Sequence, residues 1–146
     1  MRHLKLIIAV LLLGIFNWSC GSKDDYPTYP RPNWELSALP GTYSASMIIV
    51  MSLPDHLAKN EGDTDLIGAF IGEECRGVAT VKKYDGKNLY FLLIKGDAAE
   101  QNNVFIRYYC GKNSYMYASQ NSIPFVIDNV HGDADTPFIP DFVPME

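Results

Sequence analysis

The sequence predicts an all-β fold on three observations. Runs of β-branched and aromatic residues alternate with Gly, Asn and Asp turn signals. No stretch keeps a 3.6-residue apolar period for more than a turn, and the runs recur at short, even spacing. The expected architecture is an antiparallel immunoglobulin-like β-sandwich of about seven strands, preceded by a signal peptide and a Pro-rich linker.

Seven runs account for the strands: 45–52 (ASMIIVMS), 66–71 (LIGAFI), 76–81 (RGVATV), 89–95 (LYFLLIK), 104–110 (VFIRYYC), 115–119 (YMYAS) and 124–129 (PFVIDN). Between them lie Gly72-Glu73, Asp85-Gly86 and Gly111-Lys112-Asn113, residue types that accept the positive φ of hairpin turns. A single helical turn is expected from His56 to Asn60. Taken as a two-residue turn, Gly72-Glu73 sets Phe70 opposite Cys75, Gly68 opposite Gly77 and Ile67 opposite Val78. Both faces of that hairpin are then largely apolar, so it is central in its sheet or covered on its second face by the linker or a partner.

Ahead of the strands, Arg2, His3 and Lys5 precede the apolar run 6–16 (LIIAVLLLGIF), eleven residues long. As a helix it would measure roughly 16 Å, about half a hydrocarbon core and too short to span it. Residues 1–19 therefore read as a signal peptide. The sequence Asn17-Trp18-Ser19-Cys20-Gly21 that follows resembles the lipobox of bacterial lipoproteins, in the relaxed form seen among Bacteroidetes, where cleavage before the cysteine leaves it as the acylated N-terminus. That resemblance implies lipidation at Cys20, a membrane held through the N-terminal lipid as partner, and the cell outer membrane as location. Ser22-Lys23-Asp24-Asp25 resembles the short acidic signal that carries such proteins to the outer face, which implies surface exposure. The ordinary alternatives are a secretory peptide that happens to end beside a cysteine and a solvated linker.

Pro27, Pro30, Pro32 and Pro40 are too closely spaced for helix or central strand. Residues 20–42 are thus expected to be a lipidated N-terminus and extended spacer, and 43–146 the sandwich. The chain of 146 residues carries 12 Lys+Arg against 17 Asp+Glu, a formal charge of −5. Its first nineteen residues hold two of the bases and none of the acids, so the part that follows is more acidic still. Nucleic acid is excluded as a partner, because neutralising phosphates needs clustered Lys and Arg. The length allows one domain and no separate catalytic domain beside it.

The segment Asp65-Leu-Ile-Gly-Ala-Phe-Ile-Gly-Glu-Glu-Cys-Arg-Gly-Val-Ala79 resembles a recurrent module of secreted and surface Bacteroidetes proteins, with the signature D-x-[IV]-[GA]-A-F-[IV]-G-x-E-C-R-G-V-A. Ser46-Met47, the 90–94 and 104–109 runs, and Gly132 before Thr136-Pro137-Phe138 agree with it. The resemblance implies a small extracellular β-sandwich of accessory or adhesion type. It transfers no catalytic residue.

Several constellations are candidates for function. Cys75 and Cys110 form an even pair in an oxidising compartment. A bridge would close a loop of about 35 residues and contribute on the order of 4 kcal/mol; the alternative is two buried reduced thiols on strands that do not touch. Asp128, Asp133 and Asp135, with Asn129, offer oxygens to a hard cation such as calcium, as do Asn60, Asp63 and Asp65, although neither stretch has the twelve-residue loop ending in a bidentate Glu. Tyr90, Tyr108, Tyr109, Tyr115 and Tyr117 fall on three successive expected strands. Of these, Tyr109, Tyr115 and Tyr117 are the candidate ligand contacts, able to stack on sugar rings or on a protein's apolar patch, unless they are core and cross-strand pairs.

No catalytic residue is assigned, because no nucleophile-elbow, zincin, Walker or Rossmann pattern is present. Glu73 and Glu74 are adjacent and would face opposite ways on a strand. The expectation is a surface-anchored, non-enzymatic lipoprotein that needs no cofactor and whose sandwich binds carbohydrate or protein. The alternative is a structural accessory subunit of an outer-membrane complex with no soluble ligand.

Overall fold

The structure is a computed structural model that describes residues 25–36, 39 and 41–146, so residues 1–19 and Cys20 lie outside the described residues. Strands make up 45% of it and helix 3%, an all-β chain of two sheets. In chain order the elements are β1 (Ala45–Met51), α1 (Asp55–Ala58), β2 (Leu66–Ile71), β3 (Glu74–Val78), β4 (Thr80–Tyr84), β5 (Lys87–Gly96), β6 (Asn103–Cys110), β7 (Tyr115–Ser119), β8 (Ile123–Pro124), β9 (Val130–His131) and β10 (Phe142–Pro144). The first sheet runs β4-β5-β1-β9 and the second β10-β7-β6-β2-β3, with β8 on β6.

The core lies between them. Alternation sends Met47, Ile49 and Met51 of β1 and Tyr90, Leu92 and Ile94 of β5 inward, against Ile67, Ala69 and Ile71 of β2 and Val104, Ile106, Tyr108 and Cys110 of β6. Among the described residues no helix is long and apolar enough to cross a membrane.

Three departures from the expected strands have physical causes. The expected strand 76–81 is two strands in two sheets, and Ala79 is the crossing point, its N–H donating to Ile67 O at 2.9 Å. Lys82 and Lys83 complete β4 because it is an exposed edge strand, where charge protects against further pairing. The hairpin register holds at Phe70 opposite Cys75 and then slips: Ala69 faces Gly77 and Gly68 faces Val78, because a bulge leaves Arg76 unpaired. The expected strand 124–129 shrinks to Ile123–Pro124, since the chain turns at Asp128, which has φ 56°. Two short strands, β9 and β10, join the sheets instead, β9 parallel to β1.

The described part of the Pro-rich segment, residues 25–36, does not stand off as a spacer. Tyr26 meets Tyr115 edge-on at 5.5 Å, and the Tyr29 N–H donates to Ser114 O at 2.8 Å. Arg31 reaches Thr64 O at 3.4 Å, and Trp34 packs edge-on against Phe70 at 5.4 Å. These contacts lay a strap from the β6–β7 turn across the outer face of the second sheet. Gly68 makes room for it: a Cβ there would sit 2.8 Å from the Phe70 ring and 3.1 Å from Trp34. Phe70, Cys75, Tyr109 and Met116 stay buried although they belong to that outer face rather than to the core. The doubly apolar hairpin is thus covered by the chain's own linker.

Candidate functional site

The structure separates the residues that the sequence grouped. Cys75 and Cys110 are both buried and both free, which corrects the expected bridge. Cys75 sits opposite Phe70 at one end of β2, Cys110 lies one residue past Tyr109 at the other end, and β2 runs between their strands. Two strand spacings and about five residue rises put them roughly 20 Å apart, against the 4.4–6.8 Å that a disulfide spans. Burial pushes the Cys75 thiol up, and the Glu35 carboxylate of the strap adds to that.

The tyrosine platform is also corrected. Tyr109 is 4% exposed on the strap-covered face, and Tyr117 is 6% exposed in the core, stacked on Tyr108 at 5.6 Å. Tyr115 is half-buried, packed between the core and Tyr26. Alternation on Tyr-rich strands cannot tell a wet face from one that the same chain covers. Nor do the acids converge. Asp133 accepts from the Thr136 N–H, the Thr136 hydroxyl and the Asp135 N–H, at 2.6, 3.0 and 2.9 Å. Asp135 accepts from the Tyr84 hydroxyl at 3.1 Å, and Asp128 turns the chain elsewhere. Among the described residues no three His, Cys, Asp or Glu side chains are placed to hold a metal ion.

Among the described residues the fold also builds a cleft of about 520 Å³. One wall is the β4–β5 hairpin, with Lys83, Tyr84, Asp85, Lys87 and Asn88. The turn there needs positive φ at Asp85 and Gly86, 48° and 76°, which Asp and Gly tolerate best. The second wall is α1 with Asp55 and Ala58, and the third is the loop with Ala134, Asp135, Pro137 and Ile139. The Asp133 turn shapes that loop, and its donors, the Thr136 N–H first, hold the Asp133 carboxyl below its ordinary range. The Tyr84 to Asp135 bond ties loop to hairpin, and the same carboxylate raises the Tyr84 hydroxyl. Below them Glu61 accepts from the Tyr90 hydroxyl at 2.8 Å and from the Asn88 amide at 3.2 Å, which fixes the orientation of both.

The cleft therefore mixes cationic donors, carboxylate acceptors, an amide and an aromatic edge, the groups that hydrogen-bond vicinal hydroxyls. The hairpin was readable from Tyr84-Asp85-Gly86, but the facing loop was not, because its approach depends on β9 pairing with β1 over a long sequence separation.

A second charged group closes the other end. The Arg76 guanidinium, freed by the bulge, lies 3.2 Å from Glu74, 3.5 Å from Glu100 and 3.3 Å from Lys95 O, and stacks 4.3 Å over the Tyr43 ring. Glu74 also accepts from the Tyr43 hydroxyl. Each cation contact is internal, so this group is structural.

No family model, no curated protein and no solved structure matches this chain.

Proposed function

We propose that the chain is a non-catalytic binding module held at the outer membrane through an acylated Cys20, and that its ligand is a saccharide taken up in the β4–β5 cleft. The observation that carries this reading is the convergence of Lys83, Lys87, Asn88, Asp55 and Asp85 around a cleft whose hairpin and loop walls are tied together by Tyr84 and Asp135. Two packed, mainly antiparallel sheets support an immunoglobulin-like module at the level of architecture. The lipobox resemblance at Cys20 and the Ser22-Lys23-Asp24-Asp25 stretch support the surface location. A saccharide array probed with residues 25–146, which keep the strap, tests the ligand. Tyr84→Phe or Asp135→Ala should each weaken retention about tenfold, as loss of one to two hydrogen bonds does. A blank array, or binding that neither change weakens, overturns the reading.

One observation favours the accessory-subunit alternative. On the outer face of the first sheet Ile48 stands opposite both Leu93 and Val130, and the latter two are 49% and 56% exposed. An apolar row across three strands suits packing against another protein. Under this reading Leu93→Glu abolishes co-purification with an outer-membrane complex and leaves saccharide retention untouched.

A further inference from the structure

The strap limits where the bilayer can lie. Among the described residues the chain first meets the sandwich at Tyr26, whose ring contacts Tyr115, and Tyr115 pairs with Cys110. The Cys110 thiol donates to Asn60 O at 3.8 Å, and the next residue, Glu61, lines the cleft. The first docked residue and the cleft therefore share one end of the sandwich. The Gly72-Glu73 turn and Asn102 lie at the other, since β2 and β6 run antiparallel between them.

From Cys20 to Tyr26 there are six residue steps, a leash of at most about 22 Å. The ten-residue β5 alone spans about 34 Å. An inverted domain would need a leash at least that long. A Pro-rich segment standing free to residue 42 would have reached about 70 Å and imposed no orientation. Exposed Lys59, Lys82, Lys83, Lys87 and Lys112 share the cleft end with at least as many Asp and Glu, so the leash, rather than net charge, selects the orientation.

We propose, on the reading that Cys20 is acylated, that the cleft end is the protein's lipid-facing surface and that the partner it meets is the headgroup layer of the bilayer that holds it. A ligand of the cleft is then drawn from within a leash length of the membrane.

The test uses the full lipidated chain in vesicles of phosphatidylethanolamine and phosphatidylglycerol that carry a headgroup-attached quencher. A fluorophore is placed on Lys87→Cys at the cleft end, or on Glu73→Cys or Asn102→Cys at the far end. The native thiols at positions 75 and 110 are buried and label slowly. Quenching at position 87 should exceed that at 73 and 102 at least threefold. Equal quenching, or stronger quenching at the far end, in protein shown by mass spectrometry to be acylated overturns the orientation and leaves the anchor standing. An unacylated chain, or a Cys20→Ala chain that stays on the vesicles, overturns the anchor reading itself.

Discussion

Trp34→Ala tests whether the Pro-rich segment belongs to the fold. The ring is half-buried and meets Phe70 edge-on over the notch that Gly68 leaves. Half of a buried Trp is about 100 Å² of apolar surface, worth roughly 2.5 kcal/mol. The edge-to-face pair adds about 0.5–1 kcal/mol, and freeing the ring's rotamers returns about 1 kcal/mol, so the expected loss is about 2–2.5 kcal/mol. The first assay is urea unfolding followed by circular dichroism, because the substitution removes the tryptophan that fluorescence would follow. The second is native-state labelling of Cys75, which lies on the strapped face close enough to Glu35 for its carboxylate to act on the thiol. If labelling waits on the strap lifting, 2–2.5 kcal/mol accelerates it on the order of 30- to 70-fold. Labelling of Cys110, in the core, should follow global unfolding instead. A stability change under about 0.5 kcal/mol with unaltered Cys75 labelling would show that the strap does not hold the face, and the orientation drawn from it would fail too.

Three further substitutions or conditions probe the frame. Gly77→Ala should cost about 2–3 kcal/mol by urea unfolding, because the new Cβ strikes the Leu93 carbonyl oxygen, a backbone atom of the opposing sheet; the gain of up to about 1 kcal/mol from a stiffer unfolded chain is smaller. Asp65→Ala should cost about 3–4 kcal/mol, since its carboxylate accepts from the Gly111 N–H, the Tyr108 hydroxyl and the Gly62 N–H at 2.8, 2.9 and 3.0 Å; adding Tyr108→Phe should recover part of that by removing the stranded hydroxyl, and additive losses would refute the coupling. Stability should fall as pH rises above 10: burial, with hydrogen bonds to Glu61 and Asp65, holds the Tyr90 and Tyr108 hydroxyls far above the ordinary 10.0, so the unfolded chain ionises first and the folded state loses ground. A flat unfolding free energy between pH 8 and pH 11 would contradict this.

Legibility followed the range of the interactions. β1, β2, β5, β6 and β7 were readable because their apolar alternation is a local pattern imposed by one buried face. The crossing at Ala79 was not, because an edge strand such as β4 buries nothing and its Lys82-Lys83 pair looks like a loop. β9 and β10 have two and three residues and exist only through partners in β1 and β7. Prolines announce an extended segment without saying what it lies on, so the strap was visible as conformation and invisible as contact. The tyrosines misled for the same reason: Tyr109 is polar-tipped and alternates correctly, and only the strap decides that its face is dry.

Residues of the segment from Asp65 to Ala79 have distinct structural roles. Asp65 clamps Gly111 and Tyr108; Gly68 makes the notch and Phe70 the contact for Trp34. Glu74 and Arg76 form the closing charged group, Gly77 lets β3 approach β5, and Ala79 carries the chain between sheets. Gly72 takes a turn that requires positive φ, 60°. None of these residues lines the cleft. The segment therefore supplies parts of the frame and the strap's seat, while the cleft is built from the β4–β5 hairpin, α1 and the 134–139 loop. The segment thus bears on architecture, and on the reading proposed above the choice of ligand rests on residues 83–88 and 134–139.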